Sequence, residues 1–125
     1  MDLSSEENIK EAIKKIHSTK HRIDVLINNA GVVEKSLLQF TTIKQLKDVF
    51  QVNFFGQVQF TQGISRLMMR QRSGIIINMC SIGGMYAYPA YTSYGCGKAA
   101  MIYFTKTIAQ ELAPFGIRVN GIAPA

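Results

Sequence analysis

Prolines, charges and long apolar runs are all scarce in this chain of 125 residues. It has only three prolines, and 18% of its residues are charged against 47% that are hydrophobic. This composition excludes a disordered chain, a collagen and a mucin-like stalk. The longest apolar run is far short of a membrane span, and no charged segment followed by an apolar one opens the chain as in a secretory signal. We therefore expect one soluble globular domain, not associated with a membrane.

Cysteine and histidine are too few and too widely spaced to suggest a metal centre. Cys80 and Cys96 lie sixteen residues apart, with no C-x-x-C pair. His17 and His21 have i, i+4 spacing but no acidic third ligand nearby, so we expect two solvated side chains and no metal. The cysteines are interpreted as reduced, part-buried thiols, which places the protein in the cytoplasm.

Acidic residues are also few. The 14 lysines and arginines outnumber the 8 acidic residues, and no acid lies between Asp48 and Glu111. Arg66, Arg70 and Arg72 come closest to a basic cluster. A solvated helix face is the favoured interpretation of this cluster, and a docking patch for an acidic partner or a phosphorylated ligand is the alternative. Nucleic acid is disfavoured because no basic stripe interleaved with aromatic residues is present.

The hydrophobic periodicity predicts alternating helices and strands. Four helices are expected, the first capped by Ser4 and the others at residues 42–52, 55–70 and 92–113. Three apolar strands are expected at residues 23–27, 75–80 and 117–122. Apolar strands separated by helices indicate an α/β fold, with parallel pairing and helices on both faces of the sheet. In such sheets functional residues lie beyond the carboxyl ends of the strands.

Ser81, Tyr94 and Lys98 form the sharpest constellation at these strand ends. Tyr94 and Lys98 are spaced i, i+4 on the predicted last helix and therefore share a face. Free tyrosine is a poor acid–base catalyst at neutral pH, but an ammonium one turn away stabilises its phenolate and allows proton exchange with a carbonyl or alcohol oxygen. Ser81 could hold the same oxygen. The Y-x-x-x-K pattern alone also occurs by chance on helix surfaces.

Four further motifs accompany Y-x-x-x-K in a fixed order. They are N-N-A-G at 28–31, an asparagine at Asn53, N-x-x-S at 78–81, and the stretch from R-V-N to A-P at 118–124. Together the five motifs resemble those of the short-chain dehydrogenase/reductase family. The resemblance covers the whole chain and implies hydride transfer between NAD(P)H and a carbonyl or secondary alcohol. The implied cofactor is NADP or NAD, with NADP favoured.

The resemblance also implies a role for each matching residue. Tyr94 would be the general acid or base, and Lys98 would tune it and bind the nicotinamide ribose. Ser81 would position the substrate carbonyl, and Asn53 would hold a water of a proton relay. The remaining cofactor contacts would come from Asp2 at the adenine, from Asn29, Ala30 and Gly31 on the adenosine side, and from Pro124 beside the nicotinamide.

Several residues keep a second interpretation. Asn53 could be a plain helix N-cap, and Asn28 is expected to brace the sheet rather than touch a ligand. Four of the residues between Ser81 and the last helix could either line an apolar substrate pocket or pack in the core. They are Met85, Tyr86, Tyr88 and Tyr91.

The chain departs from the family pattern in what it lacks. No G-x-x-x-G-x-G occurs, the turn by which the family binds the cofactor pyrophosphate at a helix N-terminus. We therefore expect a partial Rossmann-type, doubly wound sheet, without the first three strands and the carboxyl-terminal lid. Residues 1–125 would form one incomplete dinucleotide-binding domain and no second domain.

The resemblance is strongest, over residues 74–124, to the 3-oxoacyl-(acyl-carrier-protein) reductase branch. Arg72 matches a residue by which that branch docks its acidic carrier protein, but Phe115 stands at the second docking position. Sugars, steroids and other small alcohols are the alternative substrates. A homo-oligomer is implied for the full-length protein. The alternative function is a catalytically inactive fragment that associates with a full-length relative and does not bind NADPH tightly on its own.

Overall fold

Three parallel strands form the sheet of the computed structural model, which describes all residues 1–125. The strands β1 (Val25–Asn28), β2 (Gly74–Met79) and β3 (Ile117–Ile122) lie in the order β1-β2-β3. Four helices accompany them: α1 (Glu6–Thr19), α2 (Ile43–Phe50), α3 (Gly56–Gln71) and α4 (Thr92–Leu112). The predicted α/β class and parallel pairing are confirmed. None of the helices is both long and apolar enough to cross a bilayer.

The start of α1 differs from the prediction by one residue. Ser5, not Ser4, is the N-cap, and its Oγ accepts a hydrogen bond from the backbone N–H of Asn8 at 3.1 Å. Ser4 instead donates its hydroxyl to the carboxylate of Asp2 at 2.6 Å. The predicted capping role of Ser4 is wrong because Asp2 already engages its side chain.

The second and third predicted helices are one continuous helical rod. A π-helical turn, Gln51–Phe55, joins α2 directly to α3. Asn53 lies inside this turn and is not a helix N-cap, so that interpretation is wrong. Gly56 follows the turn, and a Cβ on it would lie 2.6 Å from the carbonyl oxygen of Leu3, so only glycine lets that backbone approach here. A π turn places one extra residue in a helix and is frequent at functional sites.

The helices cover only one face of the sheet. The core combines strand residues of that face, such as Leu26 and Ile76, with Ile64 of α3 and Ile108 of α4. On the other face Val25 and Ile27 are about half exposed, at 48% and 57%. The expectation of helices on both faces is wrong for this chain. Strand order β1-β2-β3 advances in one direction, and right-handed crossovers that advance in one direction place their helices on one face.

A buried polar network ties the strand ends to the helices. Nδ2 of Asn28 donates to Oδ1 of Asn78 and to Oγ1 of Thr61, both at 2.8 Å. Nδ2 of Asn78 donates in turn to Oγ1 of Thr105 in α4 at 2.9 Å. Asn28 therefore braces the sheet, as expected from the sequence. The network fixes α4 against the end of β2 from which the candidate site begins.

Candidate active site

The carboxyl ends of the three strands meet at one edge of the sheet, as parallel pairing requires. Beyond β2 and β3 the pairing continues: Cys80 N donates to Ile122 O at 2.7 Å, and Ile82 N donates to Pro124 O at 3.1 Å. These two bonds enclose Ser81 and hold it beside the segment that carries Pro124. Two of the predicted site residues are thereby brought to the same place by backbone bonds alone.

Ser81 and Tyr94 line one cavity. Its volume is about 280 Å³, and Tyr88, Tyr91 and Ala125 are also in its wall. Ser81 precedes a short 3₁₀ turn, and its Oγ accepts a hydrogen bond from the N–H of Gly83 at 3.0 Å. A hydroxyl has one donor and two acceptor sites. Accepting from Gly83 therefore leaves the Ser81 O–H free to donate to a group in the cavity.

Lys98 lies one helical turn after Tyr94 and is buried, with 6% of its surface exposed. Its Nζ is 5.9 Å from the centroid of the Tyr94 ring and donates to the carbonyl oxygen of Met79 at 2.9 Å. None of the three salt bridges of the chain involves Lys98. An ammonium has three N–H donors, so this unpaired cation keeps donors for a ligand.

Asn53 contacts the other side of the site. Its Oδ1 accepts from the N–H of Val32 and its Nδ2 donates to the carbonyl of Val32, both at 2.8 Å. Both ends of the amide are therefore bonded to the backbone of Val32. Gly31 lies between the side chains of Asn53 and Lys98, since a Cβ on it would be 3.4 Å from Oδ1 of Asn53 and 3.7 Å from Nζ of Lys98. The structure thus brings Gly31, Asn53 and Lys98 together.

Asp2 lies outside this group. Its carboxylate accepts hydrogen bonds from the hydroxyl and, with a smaller effect, from the N–H of Ser4, and both hold the pKa of Asp2 below its usual value. Asn29 is exposed, and the carbonyl oxygen of Ala30 accepts from Nε2 of Gln57 at 2.6 Å. Sequence reasoning missed Gln57. The one available signal was its position one helical turn after Asn53.

The four candidate pocket residues between Ser81 and α4 are surface and cavity residues rather than core residues. Met85 and Tyr86 are 57% and 60% exposed. Both line a second cavity of about 370 Å³. Tyr88 and Tyr91 line this cavity and also the Ser81–Tyr94 cavity, so the two cavities share part of their wall. An aromatic and largely apolar wall therefore adjoins the candidate site.

The two thiols differ in environment. Cys80 is buried, whereas Cys96 is exposed, which corrects the expectation that both are part-buried. Burial raises the pKa of the Cys80 thiol, although a hydrogen bond with Thr105 and the charge of Lys98 act in the opposite direction.

We expect this difference to appear in alkylation. Because the thiolate is the reactive form and needs access to solvent, iodoacetamide at pH 8 should label Cys96 within minutes and leave Cys80 unmodified until the chain is unfolded. Mass spectrometry of peptic fragments, compared with a sample labelled in denaturant, measures both sites. Equal labelling of the two cysteines in the folded chain would contradict the burial of Cys80.

Of the two histidines predicted to be solvated, only one is exposed in the structure. His17 is not simply solvated, because its Nε2 lies 2.8 Å from the carbonyl oxygen of Gly63. His21 is exposed, as expected. The guanidinium of Arg72 lies 5.7 Å from the ring centroid of Phe115, so the two positions compared with docking residues are neighbours. No group of three or more His, Cys, Asp or Glu side chains is close enough to hold a metal ion.

A parallel sheet with Ser81, Tyr94 and Lys98 at the carboxyl ends of its strands defines a partial Rossmann-type fold, the class to which many nicotinamide-dependent oxidoreductases belong. The profile of the short chain dehydrogenases matches residues 1–125. The chain belongs to the short-chain dehydrogenase family.

Curated relatives and solved structures agree with this assignment. The chain is 40% identical over 124 residues to a 3-oxoacyl-(acyl-carrier-protein) reductase of Thermotoga maritima, and 38% identical over 123 residues to one of Synechocystis. It spans about half the length of these relatives, 50% of each. A gluconate 5-dehydrogenase of Burkholderia cenocepacia in complex with NADP and tartrate is similar with a TM-score of 0.93 and 30% identity, over 99% of this chain and 49% of that one. An NAD⁺-bound xylitol dehydrogenase is similar with a TM-score of 0.91 and 34% identity, over 98% and 48%.

Proposed function

We propose that this chain supplies the proton-transfer site of an NAD(P)-dependent oxidoreductase that interconverts a carbonyl and a secondary alcohol. The observation that carries the proposal is the shared cavity of Ser81 and Tyr94, with Nζ of Lys98 5.9 Å from the Tyr94 ring. Residues 1–125 would form about half of one dinucleotide-binding domain, in keeping with the 50% of each relative that they span.

Each of the three side chains has one task in this reaction. The hydroxyl of Tyr94 gives its proton to the substrate carbonyl oxygen during reduction and takes it back during oxidation. The free O–H of Ser81 donates to the same oxygen and holds it beside Tyr94. The ammonium of Lys98 stabilises the tyrosine phenolate that is left after the proton has moved.

The residues around Gly31 fit a dinucleotide. Because Gly31 has no Cβ, the space beside Nζ of Lys98 is open to a ligand. Lys98 uses one donor on Met79 and keeps the others for a ribose hydroxyl. When bound, the nicotinamide supplies the hydride that reaches the carbonyl carbon. Asn29, Ala30, Gly31 and Pro124 would hold the dinucleotide, with Asp2 at the adenine. Asn53 would hold a water of the proton relay that links Lys98 to solvent. We favour NADP over NAD. Titrations with NADPH and with NADH, compared by their dissociation constants, test this choice.

The substrate we favour is a 3-oxoacyl group on an acyl carrier protein, because the relatives cited above bear that activity in their names. Arg72 and Phe115 occupy the two positions compared with docking residues and are neighbours. Only Arg72 has a positive charge that could attract an acidic carrier. The likeness to gluconate and xylitol dehydrogenases supports sugar alcohols as the alternative. Two free thiols support a cytoplasmic location. A homo-oligomer of the full-length protein remains part of the proposal through the resemblance to the family.

A chimera tests the proposed activity. In it, this chain replaces the matched 124 residues of the Thermotoga reductase, which supplies the other half of the domain. We expect the chimera to oxidise NADPH when a 3-oxoacyl thioester is added, whereas the chain alone should not bind NADPH at micromolar concentration, because it lacks the glycine-rich turn. Loss of NADPH absorbance and NADPH fluorescence are the two measurements. A folded chimera that binds NADPH but turns over neither thioesters nor sugar alcohols would contradict the proposal.

A second candidate function is association with a complete relative without catalysis. The face of the sheet without helices favours it, because Val25 and Ile27 are exposed there and a contiguous apolar surface marks an interaction site. Co-expression of the chain with a full-length reductase, followed by size-exclusion chromatography, distinguishes this candidate. Co-elution without any activity of the chimera would favour association over catalysis.

A further inference from the structure

Gln57, in the first turn of α3, joins two segments of the candidate site. It is 1% exposed, and its Nε2 donates to the carbonyl oxygens of Ala30 at 2.6 Å and Val52 at 3.2 Å. Both hydrogens of the amide are used by these bonds. A reversed amide would place Oε1 against two carbonyl oxygens, neither of which has a hydrogen to donate. The orientation of the Gln57 side chain is therefore fixed by its two donor bonds.

The other end of the same amide has no partner in the chain. Oε1 of Gln57 is a buried side-chain atom without any hydrogen bond. An acceptor buried in this way destabilises a fold. An unbranched apolar side chain of similar size, such as methionine, would avoid that cost. Methionine would also lose the two donor bonds, so the two effects offset each other and the stability of the fold alone gives little reason for a glutamine here.

Gln57 and Asn53 act on one short stretch of backbone. Asn53 bonds to both the N–H and the carbonyl of Val32, and Gln57 bonds to the carbonyl of Ala30. The two side chains are one helical turn apart, and together they hold residues 30–32 from both ends. We call this arrangement the amide clasp. At its centre is Gly31, which lies beside Lys98, since a Cβ on it would be 3.7 Å from Nζ of Lys98.

We propose that Gln57 is a positioning residue, which holds the backbone of Ala30 and Gly31 in the conformation that receives the adenosine side of the dinucleotide. This inference rests on the proposed function. A segment already ordered before binding loses less conformational freedom on binding, and so binds more tightly. Without the bond from Nε2, residues 30 and 31 are held from the Asn53 end alone. Loss of this bond therefore weakens cofactor binding, whereas the proton-transfer groups on α4 stay in position.

The test compares Gln57→Met with Gln71→Met in the chimera. Gln71, at the end of the same helix, holds a backbone segment in a similar way, since it accepts from Ile23 N at 3.0 Å and donates to Ile23 O at 2.8 Å. Q57M should raise the KM for NADPH about tenfold, the scale of one lost hydrogen bond, with kcat within about twofold and Tm unchanged or higher. Q71M should lower Tm and leave that KM unchanged.

A second readout does not depend on activity. In the full chain without cofactor, hydrogen exchange at the amide of Val32 should be several-fold faster in Q57M than in the parent, and unchanged in Q71M. If the parent chimera does not turn over, the proposed function has failed and the exchange rates alone decide on the clasp. An unchanged exchange rate, an unchanged KM in an active chimera, or a fall in Tm that accompanies the rise in KM would each overturn the assignment of Gln57.

Discussion

Replacement of Tyr94 by phenylalanine should abolish turnover of the chimera and leave its affinity for NADPH intact. The substitution removes one oxygen atom from the cavity that Tyr94 shares with Ser81. Proton transfer by a positioned side chain contributes on the order of 10²- to 10⁴-fold in rate. Since the phenolic oxygen is the proposed proton donor, we expect kcat to fall by at least about 10³-fold. The ring and its contact with Lys98 remain, so the site keeps its shape.

The matched control is Tyr103→Phe, on the same helix. Tyr103 is 74% exposed, and it lines none of the cavities described above. Its substitution also deletes one phenolic oxygen, so any general effect on the helix or on expression appears in both variants. Stopped-flow measurement of NADPH oxidation gives kcat, and fluorescence titration gives the cofactor affinity. A Y94F chimera with more than a tenth of the parent rate would remove Tyr94 from the mechanism.

The grouping of Ser81, Tyr94 and Lys98 was within reach of the sequence because it is local. Tyr94 and Lys98 are one turn apart on a helix, and Ser81 follows an apolar strand. Local spacing and strand-end position together predict that these side chains meet. Their joint placement at one edge also requires parallel strands, which the alternation of helices and apolar runs indicates. The prediction of the α/β class rested on the same pattern.

The π turn could not be predicted from the same pattern. The segment around Asn53 contains an asparagine and, at Gly56, a glycine, both of which are typical of helix ends. The helix nevertheless continues, because Phe50 and Phe54 pack their rings 6.4 Å apart across the turn and Gly56 lets Leu3 approach. The two rings are only four residues apart, but the contact of Gly56 with Leu3 joins residues that are far apart in sequence. Gln57 was missed for the same reason, since its partner Ala30 lies before the helix that carries it.

The one-sided sheet has a different origin. Val25 and Ile27 are apolar, and an apolar residue on a strand face predicts that the face is buried. That pattern says nothing about which part of a protein covers the face. The direction in which the strand order advances decides it for this chain, and strand order is not visible in hydrophobic periodicity.

Replacement of Gly84 by alanine should destabilise the chain and move Ser81 away from Tyr94. A Cβ on Gly84 would lie 2.6 Å from the carbonyl carbon of Lys98 and 2.7 Å from the backbone nitrogen of Ala99. These are backbone atoms of α4, and Lys98 is anchored to Met79, so the helix cannot yield locally. The short turn that follows Ser81 must move instead. Overpacking of this kind costs about 3 kcal/mol, which lowers Tm by roughly 10 °C in a domain of this size.

Gly97→Ala is the matched control, because Gly97 lies on α4 directly before Lys98. Its Cβ would meet only Cβ of Asn53 at 3.7 Å and a ring carbon of Phe50 at 4.0 Å, which are ordinary contacts. Alanine inside a helix is favoured over glycine by about 1 kcal/mol, so G97A should raise Tm by a few degrees. Thermal unfolding followed by circular dichroism measures both variants in the full chain. The two substitutions add the same methyl group near the same lysine, and opposite signs are expected because one methyl meets backbone and the other meets side chains at normal distance. If G84A unfolds at the temperature of the parent, the packing of the Ser81 turn against α4 does not fix the site, and the geometry proposed for Ser81 and Tyr94 loses its support.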